Sequence, residues 1–186
     1  QAQKQMESIF KNPDASPPRE LERVVAVQEA FTKRYPKTTL AVTAQFNIAR
    51  LYIVKKEYPK ARLQLQKIMK TYNRAPVVIA EAIFLTGNSY EIEDKWSLAL
   101  EQYKKIMLRY PVTRRGMDIP LYIAKHYKIT YQPDKMIEAL KDAVTYYKKS
   151  AQQYSDTPFG YTNGILAVNC YMALNDWQNA LTTLDT

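Results

Sequence analysis

Residues able to do acid–base, nucleophilic or metal chemistry are few in this chain. His126 is its one histidine and Cys170 its one cysteine, so a His/Cys metal site cannot be assembled, and a Ser-His-Asp or Cys-His machine would rest on His126 alone. A single cysteine also excludes an internal disulfide framework; Cys170 reads as a small apolar filler inside a helix. Gly87, Gly116, Gly160 and Gly164 are scattered and form neither a phosphate loop nor a dinucleotide fingerprint. Two carboxylates in a cleft could hydrolyse a glycoside, and Glu91, Glu93 and Asp94 do cluster. Asp94, however, reads as the N-cap of the following helix and the other two as solvent-facing. No catalytic residue, cofactor, metal or small-molecule substrate is expected.

Fifteen tyrosines beside 27 Lys and Arg against 18 Asp and Glu, a net charge of +9, could form a stacking platform for single-stranded nucleic acid, with rings holding bases and cations tracking phosphates. Most of the lysines fall opposite the apolar stripes, where a solvated helix face is expected. Seven of the tyrosines, Tyr35, Tyr52, Tyr72, Tyr90, Tyr110, Tyr154 and Tyr171, occupy repeated positions, so packing explains them first and nucleic acid is not expected as the partner.

Those positions step back to the elements that set them. Val24, Ala61, Ala99 and Ala143 each precede by eleven residues a tyrosine that opens a proline-bearing turn: Tyr35-Pro36-Lys37-Thr38, Tyr72-Asn73-Arg74-Ala75-Pro76, Tyr110-Pro111-Val112-Thr113 and Tyr154-Ser155-Asp156-Thr157-Pro158. The turn tyrosines lie 37, 38 and 44 residues apart, a period that means stacked helix pairs, since one pair cannot bury its apolar faces alone. Ala49, Gly87, Ala124 and Val168 each stand three residues before Tyr52, Tyr90, Tyr127 and Tyr171. Small residues at such spacing let two helix backbones approach. Ala61, Ala99 and Ala180 follow nine residues after three of these tyrosines; the corresponding residue of the third repeat is expected to be displaced by a connecting loop about three residues longer.

Periodicity within each repeat reads as helix, short turn, helix. Thr38 stands as N-cap before the stripe Val42, Phe46, Ala49 and Ile53; Pro59 restarts the chain at a first helical position. About ten helices follow, in one domain 1–186 with a divergent pair at 1–34 and repeats at 38–73, 76–111, 117–155 and 157–186, the last truncated. With 46% hydrophobic residues and 24% charged the chain can build a continuous core, and no apolar stretch is long enough for a membrane span. Gln1 is no initiator and the last helix stops about one turn before its tyrosine is due, so a longer gene product is expected and the lack of a signal peptide assigns no compartment.

Gly87, Tyr90, Ala99, Tyr103 and Pro111 together resemble the tetratricopeptide repeat (TPR), and the resemblance covers essentially 40–184. The usual tryptophan near the start of each first helix is absent, and the period exceeds the family's typical ~34 residues. Both departures, with Tyr35-Pro36-Lys37-Thr38 and Ala44-Gln45-Phe46-Asn47-Ile48-Ala49, are similar to a bacterial envelope branch, BamD-like and CpoB-like. The resemblance implies an all-α, right-handed superhelix of antiparallel helix pairs. It also implies a non-enzymatic scaffold or adaptor for a protein or peptide partner in cell-envelope assembly, on the periplasmic side. A basic nucleic-acid binder and an accessory domain of a larger envelope enzyme are the alternatives. In such folds the first helix of each pair lines the concave groove. Arg50, Asn88, Lys125 and Asn169 would face it, with Phe46, Phe84, Leu121 and Ile165 one turn before and Ile53, Glu91, Lys128 and Met172 about one turn after. A row mixing cations, amides and apolar groups suits a peptide, amides pairing with its backbone while apolar residues form pockets.

Overall fold

The computed structural model describes residues 2–13, 15–36 and 38–184. Gln1, Lys37 of the first tyrosine turn and the last two residues of the closing repeat lie outside them. Among the described residues there are ten helices and no strand: α1 (Ala2–Lys11), α2 (Pro18–Arg34), α3 (Thr39–Val54), α4 (Tyr58–Thr71), α5 (Pro76–Ile92), α6 (Trp96–Arg109), α7 (Arg114–Ile129), α8 (Pro133–Gln153), α9 (Pro158–Ala173) and α10 (Trp177–Leu184). This is a helical-repeat fold. The chain divides into two compact units, 1–103 and 104–186, the boundary falling within α6.

From α3 onward the connections inside repeats span 55–57, 93–95, 130–132 and 174–176, and all four close identically. The amides of Glu57, Lys95, Gln132 and Asp176 donate to the carbonyls of Tyr52, Tyr90, Tyr127 and Tyr171 at 2.8–2.9 Å. The amides of Lys56, Asp94, Tyr131 and Asn175 donate to the carbonyls of Ile53, Glu91, Lys128 and Met172 at 2.9–3.2 Å. These are Schellman closures. Each puts one residue in the left-handed region, Lys56, Asp94, Tyr131 and Asn175 at φ 56–60°, where glycine would be favoured. The repeat tyrosine therefore has a backbone duty, accepting the last bond of its helix.

The connections between repeats, 35–38, 72–75, 110–113 and 154–157, close differently. Thr38, Thr113 and Thr157 each donate a hydroxyl to the carbonyl of the turn tyrosine at 2.7–2.9 Å. The same oxygens accept from the amides of Ala41, Gly116 and Gly160 at 3.1–3.2 Å, capping the new helix as expected for Thr38. At the second turn Ala75 replaces the threonine and the helix begins on Pro76 without a side-chain cap.

Two sequence readings are corrected here. Asp94 is not the N-cap of α6: it occupies the left-handed position of the Schellman turn, and the carbonyl of Lys95 accepts from Leu98 and Ala99. The third repeat has no longer loop. Its extra length lies in α8, 21 residues against 14 in α4 and in α6. Nor is its small residue displaced by a loop: Met136, whose amide donates to Gln132 as Ala61 does to Glu57, sits at the alanine register, while Ala139 and Ala143 are the buried small residues of α8.

In unit 1, α3 is covered on two sides. Phe46, Ala49 and Ile53 pack with Ala61, Leu65 and Ile68 of α4 and with Ala82 and Leu85 of α5; Ile48 and Leu51 pack with Met6, Ile9, Leu21, Val24 and Val25 of α1 and α2. That explains a helix apolar around most of its circumference. Ile48, Leu51, Leu65 and Ile68 are no more than 1% exposed, each such side chain contributing about 1.5–3 kcal/mol. Gly87 lies directly under the buried Tyr103 ring, where a Cβ would come 2.5 Å from Cε1. The α1–α2 loop is fastened by Lys55, whose Nζ donates to the carbonyls of Pro13 and Ser16 at 2.6 and 2.9 Å.

In unit 2, α7 carries Pro120 in its interior. Proline offers no amide to the carbonyl four residues back, that of Gly116, and the Tyr146 hydroxyl of α8 donates to this oxygen at 3.2 Å instead. Tyr147 donates to the next carbonyl, Met117, at 2.6 Å. Burial pushes the Tyr146 phenol up to about 12 and Tyr147 higher still. Gly116 has its own reason to lack a side chain, because a Cβ would meet the Tyr110 carbonyl at 2.4 Å.

Candidate functional site

The residues expected to line a groove divide sharply by unit. On α3, Phe46 and Ile53 are 6% and 7% exposed and belong to the core, so neither offers surface to a partner. Arg50 is at the surface, but its Nη2 donates to Glu81 Oε1 of α5 at 2.9 Å and its guanidinium lies 5.7 Å from the Phe46 ring centroid. On α5, Phe84 leans on Tyr103 with ring centroids 5.8 Å apart, and Glu91 accepts from the Tyr103 hydroxyl at 2.7 Å. Asn88 is half-buried. Most of the unit 1 row thus ties one helix to the next.

Unit 2 differs. Lys125 and Lys128 of α7 and Ile165, Asn169 and Met172 of α9 are all exposed, and Leu121 of α7 is half-buried. Ile165 and Met172 show 40% and 44% of their surface to solvent, where their α3 counterparts Phe46 and Ile53 show almost none. The cause is local. In unit 1, Ala61, Leu65 and Ile68 of α4 and Ala82 and Leu85 of α5 pack against α3, whereas α10 is described for only eight residues.

Sequence reasoning missed the polar lock between α4 and α5. Arg62 donates to Ser89 Oγ at 3.2 Å and to Glu93, and its guanidinium lies 4.3 Å from the Tyr90 ring centroid. Lys95 holds the other Glu93 oxygen at 2.9 Å. Hydrogen bonds from Lys95 first and then Arg62 hold the Glu93 carboxyl below the ordinary carboxylate range. The available signal was a cation at the start of one repeat's second helix and a carboxylate closing the next repeat's first. A cation also lies over each of the other repeat tyrosines: Lys60 on Tyr52, Lys135 on Tyr127 and Lys148 on Tyr171, at 5.8–6.0 Å.

The potential catalytic groups do not converge. Glu91 is engaged by Tyr103 and Glu93 by Arg62 and Lys95, so the acidic cluster presents no carboxylate pair to a common cleft. Cys170 is fully buried, its thiol pushed up to about 12 by burial, and so lacks the thiolate character a nucleophile needs. His126 packs edge-on against Tyr127, centroids 5.5 Å apart. Among the described residues no group of His, Cys, Asp or Glu is placed to hold a metal ion, and no helix is long and apolar enough to cross a membrane.

The chain matches no protein-family model and no curated protein. Among solved structures it is similar to a putative kinesin light chain of Podosopora anserina with nearly identical TPR-like repeats, and to a substituted form of the same protein. Each is 15% identical, covering 98% of this chain and 91% of that one, with a TM-score of 0.48.

Proposed function

We propose that this chain is a non-enzymatic adaptor of bacterial cell-envelope assembly, on the periplasmic side, that holds a peptide or protein partner along the groove row of its first helices. The observation that carries the reading is the exposed row of unit 2, Leu121, Lys125 and Lys128 on α7 with Ile165, Asn169 and Met172 on α9; Arg50 and Asn88 are its counterparts in unit 1. Helical repeats of this kind work as interaction scaffolds because side chains on rigid elements are already placed, and association then avoids much ordering entropy. The row supplies cations, an amide and two bare apolar side chains, which suits a segment with carboxylates and an apolar anchor. The envelope assignment is supported by the Tyr-Pro-x-Thr turns and the long repeat period.

Alanine at Lys125, Lys128 and Asn169 together should abolish capture of specific partners from envelope extract without altering the helical circular dichroism. An unchanged set of captured proteins would refute the surface. The cations over the repeat tyrosines cover ring faces that stacked bases would need, which favours a protein partner over nucleic acid. Affinity for a single-stranded oligonucleotide that falls steeply with salt would reverse that preference. A secretory leader ending in a lipid-modified cysteine, read from the codons upstream of Gln1, would confirm the compartment; a leaderless upstream sequence would count against it.

A further inference from the structure

The turn between α7 and α8 differs from its three counterparts at one position. Where Lys56, Asp94 and Asn175 take the left-handed place of the other Schellman closures, this one has Tyr131, whose side chain is 92% exposed. An aromatic ring there buries almost nothing in the fold, and its Cβ strains a backbone that glycine would relax. A strained residue that the fold does not need points to a duty outside it. Ile129, the last residue of α7, is 62% exposed, and Pro133, which opens α8, is exposed as well. The turn therefore presents an apolar tip. Cations stand on the two helix ends behind it. Lys128 of α7 and Lys135 of α8 are exposed and pair with no carboxylate among the described residues; the Lys135 amine donates to Gln132 Oε1 at 2.8 Å, which holds it at the turn. Between residues 125 and 141, Lys125, Lys128, Lys135 and Lys141 outnumber the carboxylates Asp134 and Glu138.

We infer that the α7–α8 turn is a membrane-docking tip, which sets unit 2 against the surface of an anionic bilayer. Ile129 enters the acyl boundary, the Tyr131 ring lies at headgroup level with its hydroxyl towards water, and Lys128 and Lys135 extend on apolar stems to lipid phosphates. Charge complementarity selects this occupant: two apolar side chains at a turn, backed by unpaired cations, match a surface that is anionic outside and apolar just beneath. Among the described residues no helix is long and apolar enough to cross a bilayer, so the contact is peripheral, and its strength follows the apolar area inserted and the lipid charge. The tip does not depend on the adaptor reading and shares only Lys128 with the α7–α9 row.

The test sediments the whole chain with vesicles of phosphatidylglycerol and phosphatidylcholine in equal parts, and with phosphatidylcholine alone, at low ionic strength. Tyr131→Gly relieves the left-handed strain, so binding lost in this variant does not come from a weakened fold, which circular dichroism verifies. Binding that needs phosphatidylglycerol, falls as salt screens the lysines, and weakens at least about tenfold in Ile129→Ser/Tyr131→Gly supports the tip. Tyr131→Trp, which keeps an interfacial ring, should bind as the parent does, an order of variants that stability alone does not produce. Equal binding by the double variant, binding indifferent to phosphatidylglycerol, or no binding overturns the tip. A concentration-dependent dimer that Tyr131→Gly dissolves would assign the turn to a second copy of the chain and overturn it equally. Lys125→Ala/Asn169→Ala, which removes two residues of the α7–α9 row, should leave vesicle binding unchanged, so the two readings fail separately.

Discussion

Tyr131 is 92% exposed and holds φ at 56°, so its side chain contributes almost no packing while its Cβ strains the backbone. Left-handed geometry costs an L-residue roughly 1–2 kcal/mol. Tyr131→Gly should therefore stabilise the protein, by about 1 kcal/mol after the added flexibility of the unfolded chain is counted, read as a higher denaturant midpoint at unchanged slope. Gly87 is the opposite case. Its missing side chain makes room for the Tyr103 ring, so Gly87→Leu should lower stability by about 1–3 kcal/mol in the same assay. The role of Gly87 was legible because a glycine inside a helix, three residues before a repeated tyrosine, has few explanations but a close crossing. Asp94 was misread because aspartate favours both an N-cap and a left-handed turn position; the deciding fact is the Lys95 amide reaching the Tyr90 carbonyl, which spacing alone does not reveal.

At the scale of elements, α7 stays helical through Pro120 because α8 supplies the missing bond. Tyr146→Phe leaves the Gly116 carbonyl without its donor and should cost about 1–3 kcal/mol. In a Pro120→Ala background, where residue 120 again has an amide for that carbonyl, the same change should cost distinctly less, and a double-mutant cycle measures the difference. Equal costs in the two backgrounds would refute the compensation. The α4–α5 lock makes a pH prediction. Glu93 has a lower pKa folded than unfolded, so the folded state binds fewer protons near that value. Its contribution is complete above the ordinary value of about 4.5 and fades as pH falls through the lower folded one. Glu93→Gln should thus reduce the melting temperature at pH 7, with the gap to the parent closing on acidification below pH ~4. Helix count and the Thr38 cap were readable from the chain, since apolar period and capping chemistry are local. Neither the Tyr146–Gly116 bond, spanning 30 residues, nor Arg62 to Glu93 has a local signature.

For the whole molecule the excess of positive charge matters most. At a net +9, self-repulsion opposes the compact state. Raising ionic strength from about 0.01 to 0.15 M shortens the screening length from roughly 30 to 8 Å, so the melting temperature should rise with salt in scanning calorimetry. A fall would mean that ion pairs such as Arg50 with Glu81 and Arg62 with Glu93 outweigh the repulsion. Repetition was legible at this scale because alternating connections keep every helix pair in one register. The proposed partner surface was less so: the same register is core in α3 and exposed in α9, so residue position in the repeat does not by itself place Phe46 or Ile165. Lys55, like Arg62, escapes the common solvated fate. Lys55 has its amine tethered by the Pro13 and Ser16 oxygens, while the adjacent Lys56 is exposed. An acylating reagent should therefore tag Lys56 quickly and Lys55 slowly, and once Lys55 does react the segment joining the first two helices should become the earliest place a protease cuts.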